Sequence, residues 1–365
     1  MKFTSENLLR LYSVPGIGGV RMRQLISIFG SPENVLNASV RELMEVEGID
    51  KIRASKIHSG VDEEFVREQL VRVNDYGVKL LSYWDEEYPE RLKSIFDPPP
   101  FLFARGDFSI MEKPAFAIVG TRNPTSYGRM ITEQIAADLT KHNFVIISGF
   151  ARGVDTAAHK AAFKHGGKTI AVLGNGVDLI YPAANRELYS QMLDNGLLLS
   201  EYPMGAVPDA GNFPKRNRLI SGMSYGVLIT EAGAKSGALL TAMYGLDQNR
   251  EIFAVPGTVV SENSKGTNKL IKEGAKLVES VDDILIELKS ILNINMDSVE
   301  AKEKALPDLK GSDKLVYDFL SLEPVHIDQI AYKTGLSTSE ALSVLLTLEL
   351  MGHIKQLAGK MFVRL

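Results

Sequence analysis

Between Ala115 and Val255, apolar runs of strand length recur at Phe116 to Val119, Phe144 to Ile147, Thr169 to Leu173, Leu197 to Leu199, Val227 to Ile229 and Ile252 to Val255. Amphipathic helical patterns stand between them, over Tyr127 to Leu139, Asp155 to Phe163, Glu187 to Leu193 and Ala238 to Leu246. A strand that is apolar at every position has no solvent face, so something must cover both sides, and the alternating helices supply that cover. The pattern therefore predicts an α/β fold with a doubly wound, mainly parallel sheet. Ligands of such sheets sit beyond the carboxyl ends of the strands, where the loops converge on one rim.

The flanks differ in character. Residues 1–76 read as short amphipathic helices separated by glycine turns, Val14-Pro-Gly-Ile-Gly-Gly19 and Val46-Glu-Gly-Ile-Asp50. Each turn resembles the hairpin of a helix-hairpin-helix or SAM-like domain, in which glycines let backbone N–H groups approach a phosphate. The first copy carries Met22 where that hairpin has a small residue, and the second has Ala54 but sets Asp50, which repels phosphate, in place of its second glycine. Structural or protein contacts and DNA contact both remain open for this segment. Residues 77–290 hold the sheet, beginning with a connecting stretch that contains Trp84, Tyr88 and Pro98-Pro-Pro100. Residues 291–310 mix Asn, Asp, Lys and Glu with few large apolar groups and read as a linker.

Residues 311–365 have a winged-helix outline: helical spacing over Lys314 to Leu320, Ile327 to Tyr332 and Glu340 to Met351, then a small hairpin around Ala358-Gly359. The helix that would enter a major groove carries no Lys or Arg from Ser337 to Met351, so protein contact or packing is expected of it rather than base reading.

Against a formal charge of −4, residues 212–222 gather Lys215, Arg216 and Arg218 around Phe213. Cations there suit phosphate oxygens, an aromatic suits a base, and a helix start beside them adds free N–H groups. An acidic chain does not coat nucleic acid generally, so binding must be focused in a groove. With no Cys, thiolate metal sites and Cys nucleophiles are excluded, and a cytoplasmic setting is expected. No apolar stretch is long enough to span a bilayer, so no membrane association is expected.

Further candidates lie at the strand ends. Val119-Gly-Thr-Arg-Asn-Pro-Thr-Ser-Tyr-Gly128 sits where a dinucleotide fingerprint would, yet it fits neither that pattern nor a P-loop, and Arg122 in it reads as a phosphate ligand. Ser148-Gly-Phe-Ala-Arg-Gly-Val-Asp155 opens the next helix with Arg152 beside its glycines, and further rim loops run Gly174 to Pro182 and Thr230 to Leu239. Gly222-Met-Ser-Tyr-Gly226 matches a nucleophile elbow in letters only, because it follows a helix and precedes a strand. The His residues show no metal spacing. Asp155 and Glu231 are expected to orient Arg152 and loop amides rather than to act in catalysis.

Taken in order, these loops resemble the DNA-processing protein A family, DprA or Smf. The resemblance rests on Ile118-Val-Gly-Thr-Arg122, Ser148-Gly-Phe-Ala-Arg-Gly-Val-Asp155 with Ala158-His159, Ala171-Val-Leu-Gly-Asn-Gly-Val-Asp178 and Tyr181-Pro182 with Asn185. It continues through Ser200-Glu-Tyr-Pro-Met-Gly205, Phe213-Pro-Lys-Arg-Asn-Arg-Leu-Ile-Ser-Gly222, Ser236-Gly-Ala-Leu239, Phe253-Ala-Val-Pro-Gly257 and Gly266-Thr-Asn-Lys-Leu-Ile271. Asn249-Arg250 departs slightly from the family's Gly-Arg before the sixth strand.

The resemblance implies an extended Rossmann-like domain that binds single-stranded DNA in a basic pocket, protects incoming strands and loads RecA recombinase in natural transformation. It implies a homodimer, no catalysis and no cofactor. Carried over by motif, the DNA-binding residues are Gly120, Thr121, Arg122, Ser148, Gly149, Arg152, Phe213, Lys215, Arg216, Asn217 and Arg218. The alternatives are a nucleoside-phosphate hydrolase of the lysine-decarboxylase-like group, whose loop pattern Glu231-Ala-Gly-Ala lacks, and an interaction scaffold without nucleic acid.

Overall fold

A computed structural model describes residues 3–292, 309–321 and 323–364, so most of the linker reading at 291–310 lies outside the described residues. The chain forms two compact units.

The larger unit is built on a nine-stranded sheet: β1 (Lys79–Ser82), β2 (Phe101–Gly106), β3 (Ala115–Val119), β4 (Val145–Ser148), β5 (Thr169–Val172), β6 (Leu197–Ser200), β7 (Gly226–Ile229), β8 (Glu251–Ala254) and β9 (Lys276–Leu277). Their order is β1-β2-β6-β5-β4-β3-β7-β8-β9. From β6 to β9 every pairing is parallel, while β2 joins β6 and β1 joins β2 antiparallel. β3 through β7 are buried at every position, as their mostly apolar sequences, broken only by Ser148, Thr169 and Ser200 at strand ends, require.

Two connections leave the middle of this sheet in opposite directions. The chain passes from β3 to β4 on one side and later returns to lay β7 on the other side of β3. The loops after β3 and β7 thus part at a topological switch point, which is where an open parallel sheet binds its ligand.

The helical N-terminal segment runs Ser5–Ser13, Gly19–Phe29, Pro32–Asn37, Val40–Leu43, Lys51–Ser59 and Glu63–Asp75. Thr4, Ser31, Ser39, Asp50 and Asp62 cap helix starts with their side chains. This segment has no core of its own: Leu8, Leu11, Met22 and Leu25 are fully buried in a cluster that also holds Phe101, Phe103, Phe150 and Leu198 from the sheet side. Each such side chain contributes about 1.5–3 kcal/mol when buried, so the segment is bound to the sheet through its interior.

The smaller unit has helices Gly311–Phe319, Ile327–Thr334 and Thr338–Leu350 with a three-stranded antiparallel sheet, β10 (Val325–His326), β12 (Met361–Arg364) and β11 (Ile354–Leu357) in that order. Val316, Ile330, Leu345, Leu348 and Phe362 form its core. Its third helix starts with a Ser337/Glu340 capping box and exposes Leu342, Leu346 and Leu350, an apolar stripe rather than a basic one. Among the described residues no helix is long and apolar enough to cross a membrane.

Candidate nucleic-acid interface

The loops after β3, β4 and β7 and the helix Asn212–Gly222 enclose an open cleft of about 720 Å³. Gly120, Thr121 and Arg122 line it from the first loop, Ala151 and Asp155 from the second, Lys235, Ser236 and Gly237 from the third, and Phe213, Arg216 and Asn217 from the helix. Arg122 and Lys235 are exposed, and no carboxylate pairs with either among the described residues. Both side chains are available to an anion.

Phe213 is the centre of an aromatic and cationic group. Its ring centroid lies 5.6 Å from that of Tyr181 at an interplanar angle of 29°, and the Arg122 and Arg216 guanidinium carbons each lie 5.9 Å from it. Phe213 is held from beneath by Gly174, because a Cβ at that position would meet the ring 2.8 Å away. Tyr181, 42% exposed, extends the stack toward solvent. An aromatic pair beside the exposed Arg122 guanidinium suits a base with a phosphate next to it.

Arg216 has a different task from the other cations. It is buried, and its Nη1 donates to the carbonyls of Gly149, at 2.7 Å, and Val172, while its Nε donates to Asn217 Oδ1 at 3.3 Å. One guanidinium therefore ties the loop after β4 and the end of β5 to the helix. Gly149 makes the approach possible, since a Cβ there would stand 2.7 Å from the Arg216 Nη2 and 2.8 Å from Asp155 Oδ2. Burial pulls the Arg216 pKa down to about 10 against the stabilising charge of Asp155. Burial likewise pushes the Asp155 carboxyl above its usual range, opposed by Arg216 and by the loop amides. Asp155 Oδ2 accepts from the Gly149 and Ala151 N–H groups at 3.1 and 3.2 Å, so it does orient loop amides, and its charge partner is Arg216 rather than Arg152.

The remaining sequence candidates fall elsewhere. Ser148 is fully buried and donates to the Ile118 carbonyl at 2.6 Å, inside the sheet. Arg152 is exposed beside the cleft without lining it. Lys215 and Arg218 line a separate cavity, so the basic stretch that reads as one wall is divided between two faces of its helix. Two contributors were outside the candidate set. Lys235 is the only cation in the Thr230 to Leu239 loop already placed on the rim, and Tyr181 belongs to a motif already singled out. Ser224 of the elbow-like stretch is buried and donates to the Ile220 carbonyl at 2.7 Å, so it is no nucleophile.

His159 is fully buried on the helix Val154–Lys164. The Thr169 hydroxyl gives its proton to the Ile146 carbonyl, so it accepts from His159 Nδ1–H at 2.6 Å and leaves Nε2 bare. Burial, reinforced by Arg216, lowers the His159 pKa to about 3. Below pH about 6.5 the unfolded chain therefore takes a proton that the folded chain refuses, down to the folded value. Stability should fall through that acid window by up to about 1.4 kcal/mol per pH unit from this group. Urea midpoints across that window should decline less steeply for His159→Gln than for wild type; equal slopes would exclude the assignment.

Comparison with known proteins agrees with this architecture. The DNA recombination-mediator protein A family matches residues 79–289, a DprA winged-helix domain matches 300–360, and a SAM-like helix-hairpin-helix tandem matches 8–63. Protein Smf of Escherichia coli is 38% identical over 365 residues, covering 99% of this chain and 96% of that protein. The crystal structure of DNA processing protein A from Streptococcus pneumoniae superposes with a TM-score of 0.70 at 34% identity, covering 79% of this chain and 99% of that one. The Helicobacter pylori protein, described for its single-stranded DNA binding mode, superposes with a TM-score of 0.54 at 32% identity, covering 59% of this chain and 97% of that one. With the mainly parallel sheet, the helical start and the winged helix all accounted for, the chain belongs to the DNA recombination-mediator protein A family, the DprA/Smf proteins.

Proposed function

We propose that this protein binds single-stranded DNA in the cleft, protects incoming strands during natural transformation and passes them to RecA recombinase, acting as a homodimer without catalysis. The observation that carries the reading is the Tyr181–Phe213 stack set beside Arg122 and Lys235 on the sheet rim, which pair with no carboxylate among the described residues. Such a platform accepts any base by its π-face and any residue by its phosphate, so sequence preference is small. The strand-binding relative of comparable fold supports it. The family's description as recombination mediators supports the hand-over to RecA.

A gel shift with single- and double-stranded oligonucleotides, with and without RecA, tests the reading. A single-strand preference and a slower complex on adding RecA are expected. Absence of any single-strand shift at low salt would leave a scaffold role, and turnover of a nucleoside monophosphate by the purified protein would favour the hydrolase instead. Salt dependence gives a finer measure: Arg122→Ala and Lys235→Ala should each flatten the slope of log affinity against log salt by about 0.7, the value for one phosphate on a single strand. An unchanged slope in both would remove these cations from the interface.

A further inference from the structure

Two helices start at the cleft and leave it side by side. Val154–Lys164 comes shortly after Ala151 and Arg186–Asn195 shortly after Tyr181, and both of those residues line the cleft. Their starts are tied together, since Asn185 Nδ2 donates to the Thr156 hydroxyl at 3.0 Å and to the Phe150 carbonyl at 2.9 Å. Each helix connects two parallel strands, so each runs from the rim toward the far end of the sheet. There the pair opens into a groove of about 760 Å³.

On one wall of the groove Lys160 and Lys164 succeed Thr156 at four-residue steps, so they share one stripe of their helix, and each step advances about 6 Å. The other wall carries Glu187, Gln191 and Asn195 at the same spacing. Lys160 and Lys164 are exposed, and no carboxylate pairs with either among the described residues. Lys168, which also lines the groove, is answered by Asp107 at 3.2 Å. Glu187 is the one carboxylate of the lining, so two free cations stand against one anion. Arg152 and Arg186, exposed and likewise paired with no carboxylate among the described residues, add two positive charges where the helices begin. On a chain of net charge −4 this is a local positive excess, and it is continuous with the cleft.

We propose that the groove between these helices is an exit track for the strand held in the cleft, along which Lys160 and Lys164 take backbone phosphates. The proposal rests on the strand-binding reading of the cleft and extends it from the rim down one side of the sheet. Charge carries the contact, because the aromatic of the lining, Phe163, packs against the core, and the track is therefore indifferent to base sequence. From Thr156 to Lys164 the helix rises about 12 Å. At about 3.4 Å per stacked nucleotide, a strand needs some three or four nucleotides beyond the cleft to cover that length. An acidic protein segment would meet the same lysines; the strand is favoured because the row of cations begins at the cleft rather than standing apart from it.

Oligothymidylates of increasing length should be titrated over a range of salt against the full chain as wild type, Lys160→Gln with Lys164→Gln, Lys160→Arg with Lys164→Arg, Glu187→Gln and Arg122→Ala. In wild type the slope of log affinity against log salt should steepen by about 1.4, or about 0.7 per lysine, once the strand extends beyond the cleft by the length of the track. The double glutamine variant should lose that steepening while binding the shortest strands as wild type does, and the double arginine variant should keep it. Glu187→Gln should tighten only the long strands, by up to about fivefold, the upper worth of an exposed charge pair. Arg122→Ala should weaken every length and keep the steepening. A double glutamine variant whose slope matches wild type at every length would overturn the track, and polyglutamate binding to wild type but not to that variant would then assign the groove to a protein. The cleft reading fails separately, if Arg122→Ala matches wild type at every length. The lysines and Glu187 are exposed, and unchanged melting of their variants will show that they fold.

Discussion

Arg216→Ala should unfold at a much lower urea concentration than wild type, by the equivalent of about 3–5 kcal/mol, the cost of breaking a buried charge pair from one side. The cause is specific. Removing the guanidinium deprives the Gly149 and Val172 carbonyls of a shared donor and leaves Asp155 buried without its countercharge. Arg122→Ala, which touches no buried partner, should melt as wild type does. Arg216→Lys should fall between, because a single ammonium cannot reproduce the fork. Asp155→Asn should be destabilising alone and clearly less than additive with Arg216→Ala, since each change spoils the same pair. Were Arg216→Ala to keep its stability and lose only strand binding, the guanidinium would be facing the ligand rather than the loops.

Phe213→Ala and Tyr181→Ala should each weaken single-strand binding by about 1–3 kcal/mol, the worth of one base stack, or about five- to 150-fold. Tyr181→Phe should retain most of the affinity, because the ring and not the hydroxyl makes the platform. The salt slope should stay at its wild-type value in all three, as no phosphate contact is lost. That signature separates stacking from charge: Arg122→Ala changes slope, Phe213→Ala changes intercept. Equal affinity of wild type and both alanine variants for an oligothymidylate would rule out the platform.

The parallel strands were legible because a run such as Phe116 to Val119 has no polar position and fits nowhere but a doubly covered sheet. β1 and β2 were not, for they lie in what reads as a connecting stretch and are defined by antiparallel pairing with each other and with β6. The position of Asn249 explains itself once the fold is known: its φ is 55°, in the left-handed region that glycine favours and asparagine tolerates. The fate of Arg216 could not be read from the chain. A cation at a helix start looks solvated, and only the meeting of Gly149 with Asp155 makes a buried place for it. The division of the basic stretch was closer to the surface of the sequence, since Phe213 and Arg216 follow helical spacing on one stripe while Lys215 and Arg218 follow it on another.

The core shared by Leu8, Leu11 and Met22 with Phe101 and Phe103 joins the helical start to the sheet through buried side chains rather than through a hinge. The first hairpin and the sheet rim are thus held at a constant separation, like the jaws of a locked calliper. On the strand-binding reading proposed above, a strand laid along such a body would be measured as well as gripped, its span set by the protein's interior.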